Sequence, residues 1–305
     1  MLIRFVRRVV FLALLFPTLA FFVALAIGLG QSGGWTALPE AVPAAIDFTV
    51  DYLKNLARGD LGQTMPTYPG APTTAIKEEL TRALPRSLGL LATSLALAVL
   101  IGLPLGIVAG LRRRSNLSGA IVFLSALGIS TPSYFAAMLL IWLNVWLYRT
   151  TGADFIPLHG FGWDIHLLLP TLVLSARPMA NVMRLSYNAL IDVLDADFVR
   201  TAHAKGLAPR VVLLRHVLRN AGVPLLTTAV VSLRFSLAIL PIVEYIFSWP
   251  GIGQHLLEAI EVNDAAAVVS MVLPLAVLFV LVNILMEILY LIIDPRLRTS
   301  TRGAS

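Results

Sequence analysis

The chain has 305 residues, 58% of them hydrophobic and only 13% charged, with a mean hydropathy of +0.84. Unbroken apolar runs reach the ~18–20 residues a helix needs to cross a bilayer, which excludes a soluble protein and, because they do not alternate, a β-barrel. The net charge of +6 would suggest nucleic acid in a soluble protein, but in a membrane protein a basic excess marks cytoplasmic loops, so no nucleic-acid partner is expected; without cysteine, neither a disulfide frame nor a thiolate metal site can form.

Six spans are predicted, at 9–30, 86–110, 120–147, 166–190, 221–246 and 267–293, making the fold class an all-α integral membrane protein with six transmembrane helices. The first follows Arg7-Arg8 and ends near "ALA" (24–26), which also fits a secretory signal peptide. Its length, longer than a signal core of roughly 7–15 residues, favours a retained span. Residues 1–30 are thus read as a cytoplasmic N-terminus and first span, and 31–85 as an extracytoplasmic segment. Within that segment "FTVDYLKNLARGDLG" (48–62) reads as a short amphipathic helix ending at Gly59 or Gly62. Residues 86–293 form the remaining five-helix core, and 294–305 a cytoplasmic tail. In the second span Gly102, Gly106 and Gly110 recur every four residues and make one smooth face for close helix contact.

Orientation follows from the basic residues. With the N-terminus inside, 15 of the 23 lysines and arginines fall on the cytoplasmic side and 6 outside, which predicts N-in and C-in. Arg177 and Arg234 fall within spans, as do Glu244 and Glu287. Charges at that depth are costly and face a partner or a wet cavity. These four are candidate translocation-cavity charges; the alternative is mutual pairing, for instance Arg234 with Glu287. The buried carboxylates also keep a self-sufficient proton-coupled secondary carrier open as a rival.

Chemistry is otherwise sparse. "GQSGG" (30–34) matches a nucleophile-elbow pattern but follows a membrane span rather than a strand. The histidines at 159, 166, 203, 216 and 255 lack metal-ligand spacing, and no G-x-x-x-x-G-K-[ST] loop is present. No catalytic, metal or cofactor-binding residue is assigned, and any ATP must be bound elsewhere.

One polar island stands between oily segments: "DADFVRTAHAKGLAPR" (195–210). Asp195 or Asp197 caps a short helix and Gly206 suits the left-handed position that ends it. A rod of about ten residues, roughly 15 Å long, cannot span a bilayer. Phe198, Val199 and Ala202 share one face, and a new helix is predicted to start near Pro209.

The stretch "DADFVRTAHAKGLAPRVVLLRHVLRNAGVPLLT" (195–227) resembles the cytoplasmic signature of ATP-binding-cassette importer permeases, most closely the dipeptide/oligopeptide/nickel branch. Arg200, Thr201, Ala202 and Gly206 align with that signature, and Leu218-Arg219 with its final pair. "EYIFSWPGIGQHLLEAI" (244–260), "LARGDLG" (56–62), "IGLPLGIVAGLRRRS" (101–115), "GISTPSYF" (128–135) and "DPRLR" (294–298) are similar to further segments of that branch, so the likeness covers nearly the whole chain.

The resemblance implies a type I importer permease in a bacterial or archaeal plasma (inner) membrane. Helix 195–207 would be a coupling helix seated in a cytoplasmic ATPase, with Asp197, Phe198, Arg200, Thr201, Ala202, Lys205 and Gly206 at that interface. Phe247, Trp249, Pro250, Gly251 and Gly253 would form a turn at the outer membrane edge. It implies as partners a second homologous permease, two ATPase subunits that bind ATP and Mg, an extracytoplasmic substrate-binding protein, and membrane lipid. The chain itself would be no enzyme. The expected cargo is peptide, with nickel complexes or oligosaccharides as alternatives. Arg177 and Arg234 depart from that branch's pattern and favour a carboxylate-rich or anionic cargo.

Overall fold

The computed structural model describes residues 2–32, 34–66, 72–152, 156–208, 211–212 and 218–293. The predicted helix start at Pro209 and the terminal "DPRLR" fall outside them. Among the described residues the chain forms ten α-helices and no strand beyond an isolated bridge between Gln63 and Ala75. These are α1 (Leu2–Gln31), α2 (Leu38–Ala57), α3 (Ile76–Leu111), α4 (Asn116–Ser130), α5 (Ser133–Thr151), α6 (Leu168–Leu194), α7 (Asp197–Ala204), α8 (Leu218–Ile246), α9 (Ile252–Glu261) and α10 (Ala265–Ile293). They divide between two compact units, Met1–Ser87 with Pro250–Leu278 and Leu88–Trp249 with Phe279–Ser305.

In the first unit α2 is longer than its sequence suggests, starting at Leu38 rather than near residue 48. Pro39 in the first turn forfeits no helical hydrogen bond. Pro43 removes one, but Ala41, Ala45, Thr49 and Tyr52 bury a continuous helical face that offsets the loss. Tyr52 closes this seam with a 2.9 Å hydroxyl contact to Ser270 on α10, beside Ala20, Val269 and Leu273. The helix stops where expected, with Gly59 at φ 76°. Likewise α3 begins ten residues before the predicted span, because Ile76 is fully buried in a core with Ala83, Ile252, Ala267 and Met271. Glu78 and Glu79 in its first turn complement the helix dipole.

In the second unit the glycine face of α3 packs on α6 as its spacing predicts. A Cβ at Gly102 would meet the Met179 carbonyl at 2.6 Å, and one at Gly110 would meet Leu190 at 2.7 Å; one at Gly106 would collide with the Met183 carbonyl. The predicted span at 120–147 is instead two helices, α4 and α5, bent by 105°. The cause is local: Thr131 and Pro132 are extended, since proline lacks an N–H and disfavours helical geometry in the residue before it.

Segments of α1 (Ala13–Gln31) and α10 (Ala265–Leu285) and the whole of α3 are long and apolar enough to cross a membrane; the bent pair α4–α5 makes a fourth among the described residues. The charged helix α6, with Arg177, Arg184 and Asp192, is not among them. By length and composition, then, the described helices support three or four crossings of the six expected.

Candidate functional site

The polar island forms the α6–α7 corner. Asp195 terminates α6, its N–H donating to the carbonyl of Ile191, and the Ala196 carbonyl receives the Val199 N–H at 3.0 Å to open α7. Asp195 therefore ends the preceding helix instead of capping α7. Its carboxylate is taken by Arg113, whose Nη1 lies 2.8 Å from both oxygens. Asp197, highly exposed in the first turn of α7, remains to complement the dipole. At the other end Gly206 adopts φ 75°, and the Leu207 N–H reaches back to the Ala202 carbonyl at 3.3 Å, closing the helix as its sequence predicts.

One face of α7 is spent on this chain's own core. Val199 and Ala202 are buried with Leu190 of α6 and Val212, and Ile107, Val193 and Leu194 pack around them. Ala202 thus belongs to the seat of the helix, a placement its small size alone did not distinguish from the docking face. Phe198, 43% exposed, points away from Val199, and Arg200, Thr201, Lys205 and Gly206 are exposed with it. The free surface is one aromatic ring among two cations and a hydroxyl.

The charges expected within spans lie on α6 (Arg177), α8 (Arg234 and Glu244) and α10 (Glu287). Arg177 on α6 lies over the ring of Phe235 on α8, its guanidinium carbon 5.3 Å from the centroid. Arg234 immediately precedes that phenylalanine. The Nε atoms of both arginines are shielded from solvent without a hydrogen-bond partner, and neither arginine pairs with a carboxylate among the described residues. Glu244 is fully buried higher on α8. The side chain of Glu287 lies outside the described part, and with it the expected Arg234–Glu287 pairing.

The "FSWPG" stretch separates into two roles. Phe247 and Trp249 are buried, and Trp249 packs edge-on against Phe161 (4.9 Å) and Trp163 (5.7 Å). Ser248 between them takes a left-handed φ of 51°, and the Phe247 carbonyl accepts the Gly160 N–H. In the first unit Gly251 leads into α9, the Ile252 N–H donates to Ser87 Oγ at 2.8 Å, and Arg86 reaches the Pro250 carbonyl at 3.3 Å. Gly253 is buried in the first turn of α9.

Sequence reasoning missed an acidic cavity of about 260 Å³ in the first unit, lined by Glu79, His255, Glu258 and Asp264 among others. His255 Nδ1 stands 3.3 Å from Glu258 and 3.4 Å from Glu79, while Gln254 donates to Glu258 at 2.7 Å. Asp264 accepts the N–H groups of Met65 and Ala267. Burial works to raise the Glu258 pKa, but the hydrogen bonds from His255 and Gln254 and the attraction of His255 outweigh it, so the carboxyl sits below its ordinary 4.5. Only the close spacing of His255 and Glu258 hinted at this in the sequence; Glu79 comes from α3 and Asp264 from the turn between α9 and α10.

Comparison with known proteins adds the following. Residues 102–299 match the family described as binding-protein-dependent transport system inner membrane component. The chain is similar to the di/tripeptide transport system permease protein DppB of Pseudomonas aeruginosa, 35% identical over 82% of this chain and 80% of the relative. It is 32% identical to the dipeptide transport system permease protein DppB of Bacillus subtilis, over 83% of this chain and 79% of the relative. The glutathione transport system permease protein GsiC of Escherichia coli is 33% identical, over 81% and 78%.

Proposed function

The chain belongs to the family of binding-protein-dependent transport system inner membrane components, and from that premise we propose that it forms half of a peptide path driven by separate ATPase subunits. It is a membrane permease subunit of an ATP-binding-cassette importer; peptide as its cargo follows the names of its relatives. A second permease completes the path, two ATPases bind ATP and Mg, and an extracytoplasmic binding protein delivers the peptide. The complex sits in a bacterial plasma membrane.

The observation that carries this reading is the form of α7. It is a short helix closed at both ends, anchored by Val199 and Ala202 and presenting Phe198, Arg200, Thr201 and Lys205 outward. An ATPase that grips this free face and moves on closing around ATP pulls the ends of α6 and α3 with it, because Asp195 and Arg113 join them. That motion switches the helices between inward- and outward-open arrangements. The same contact holds the ends of α3 and α6 on one side, as an N-in, C-in topology requires. With α4–α5 as one bent crossing and α6 and α8 sheltered by neighbours, the path has six crossings.

The test is uptake in proteoliposomes. Peptide import should require both ATPases, ATP and the binding protein, and R200E with K205E should abolish it while the chain still inserts. Uptake by this chain alone under a proton gradient would show a self-sufficient carrier and overturn the reading. Uptake of nickel complexes or oligosaccharides instead of peptides would keep the subunit's role and change its cargo.

A further inference from the structure

We propose that Arg177 and Arg234 form a carboxylate-receiving site midway along α6 and α8, through which the permease prefers cargo with a free carboxylate. The proposal rests on the peptide-import reading and names what the path itself selects.

The two arginines share one level of the helix pair. Arg177 lies over the ring of Phe235, and Phe235 follows Arg234 directly, so the two cations stand at similar heights along the helix pair. Arg177 lies nine residues from Leu168, about 14 Å along α6, and Arg234 twelve residues from Ile246, about 18 Å along α8. The segment leading into α6 meets the end of α8, since the Gly160 N–H, eight residues ahead of Leu168, donates to the Phe247 carbonyl just beyond α8. In the six-crossing topology proposed above, both cations would sit near the middle of a hydrocarbon core about 30 Å thick, away from lipid phosphates at either surface.

At that depth an arginine faces a partner or a wet cavity, and an anion is the partner that answers its charge. Phe235 meets the Arg177 guanidinium with its ring, 5.3 Å from the guanidinium carbon, and a ring supplies no lone pair to the N–H donors. The Nε of each arginine is buried without a partner, and no described carboxylate pairs with either. Glu244 is ten residues from Arg234, about 15 Å up α8, and is engaged elsewhere. Both arginine side chains are nevertheless partly accessible. Phe235, Ala238, Ile242 and Tyr245 are exposed along one side of α8 and run from its outer end to this level.

Two guanidinium forks match a carboxylate, which accepts paired N–H bonds in its plane. A peptide carries such a group at its C-terminus, and an apolar approach ending at two cations suits apolar side chains beside that charge. Binding here would hold the cargo only while the path presents both arginines.

The experiment uses the complete importer in proteoliposomes, with ATP and a saturating concentration of peptide-loaded binding protein, so that delivery does not limit the comparison. The cargo is one peptide as its free acid and as its C-terminal amide. The wild-type complex should import the acid about tenfold faster, the size of one charge-assisted hydrogen bond lost. R177Q and R234Q should each bring the acid's rate down towards the amide's, and R234K should restore part of the difference. Equal wild-type rates for acid and amide would overturn the site. So would variants that slow both peptides by the same factor, the result expected if the arginines pair with the second permease. Import of neither peptide by the wild type, with all subunits assembled, would overturn the import reading itself and the site with it.

Discussion

Arg113 and Asp195 meet through a single guanidinium nitrogen placed 2.8 Å from each carboxylate oxygen, tying the end of α3 to the corner between α6 and α7. The side chains are 35% and 53% exposed, so the pair contributes only about 0.2–1 kcal/mol to stability. Its importance is positional. Either R113Q or D195N should therefore leave thermal stability almost unchanged while lowering peptide import per ATP hydrolysed, by at most about fivefold for an energy of this size. The exchanged double variant R113D with D195R should recover part of that ratio. A ratio unchanged in both single variants would dissociate the contact from coupling.

The two faces of α7 should respond to substitution in opposite ways. Val199→Ala removes buried methyl groups from the cluster around Leu190 and should cost about 1–2 kcal/mol, read as a lower melting temperature in detergent. Phe198→Ala removes an exposed ring and should leave melting within about 0.5 kcal/mol while weakening ATPase association. Ala202→Glu would place a charge in the seat and behave like the first, only more severely.

Gly106 tests the packing of α3 on α6. A methyl group there collides with the Met183 carbonyl, a backbone atom that cannot swing aside, so Gly106→Ala should destabilise by about 1–3 kcal/mol. Gly119 on α4 has nothing within 4 Å of an added Cβ, and Gly119→Ala should be neutral or gain up to about 1 kcal/mol in helix propensity. Melting temperatures of the two variants, measured side by side, check the contrast.

The acidic cavity makes stability depend on pH on its acid side. Glu258 titrates below its ordinary 4.5, so its ionised form favours the folded state. That contribution is present in full above the ordinary value and is lost as pH falls through the lower folded one. Glu79, His255 and Asp264 line the same cavity and Gln254 donates to the carboxylate, so E258Q removes only one member of the set. Melting followed from pH 6 to pH 3 should fall less steeply in E258Q than in the wild type. Parallel curves would show that this carboxylate carries none of the dependence.

Much of the site was legible because its signals are local. Gly206 reads as a helix stop from its own backbone freedom, and the structure places it at φ 75°. Gly102, Gly106 and Gly110 read as a contact face because their spacing repeats with the helix. Asp195 was ambiguous, since a carboxylate beside a helix start can cap it or pair with a cation, and the cation here, Arg113, comes from the distant turn after α3. Pro132 reads as a possible boundary from its missing N–H, but the 105° size of the turn, set by extended Thr131 and Pro132 together, shows only in the structure.

The amino-acid sequence by itself determined an all-helical membrane protein with a short, capped polar helix between apolar segments. Hydropathy, helical spacing and end-capping act over a few neighbouring residues, so they can be read along the chain. Only the tertiary structure decided that Ala202 faces inward, that Asp195 belongs to Arg113, that Arg177 lies on Phe235, and that Glu79 joins His255, Glu258 and Asp264 around one cavity. Each of these joins residues from distant parts of the chain, helices or the turns at their ends, and which of them meet depends on how the buried faces fit together, not on any spacing within one helix.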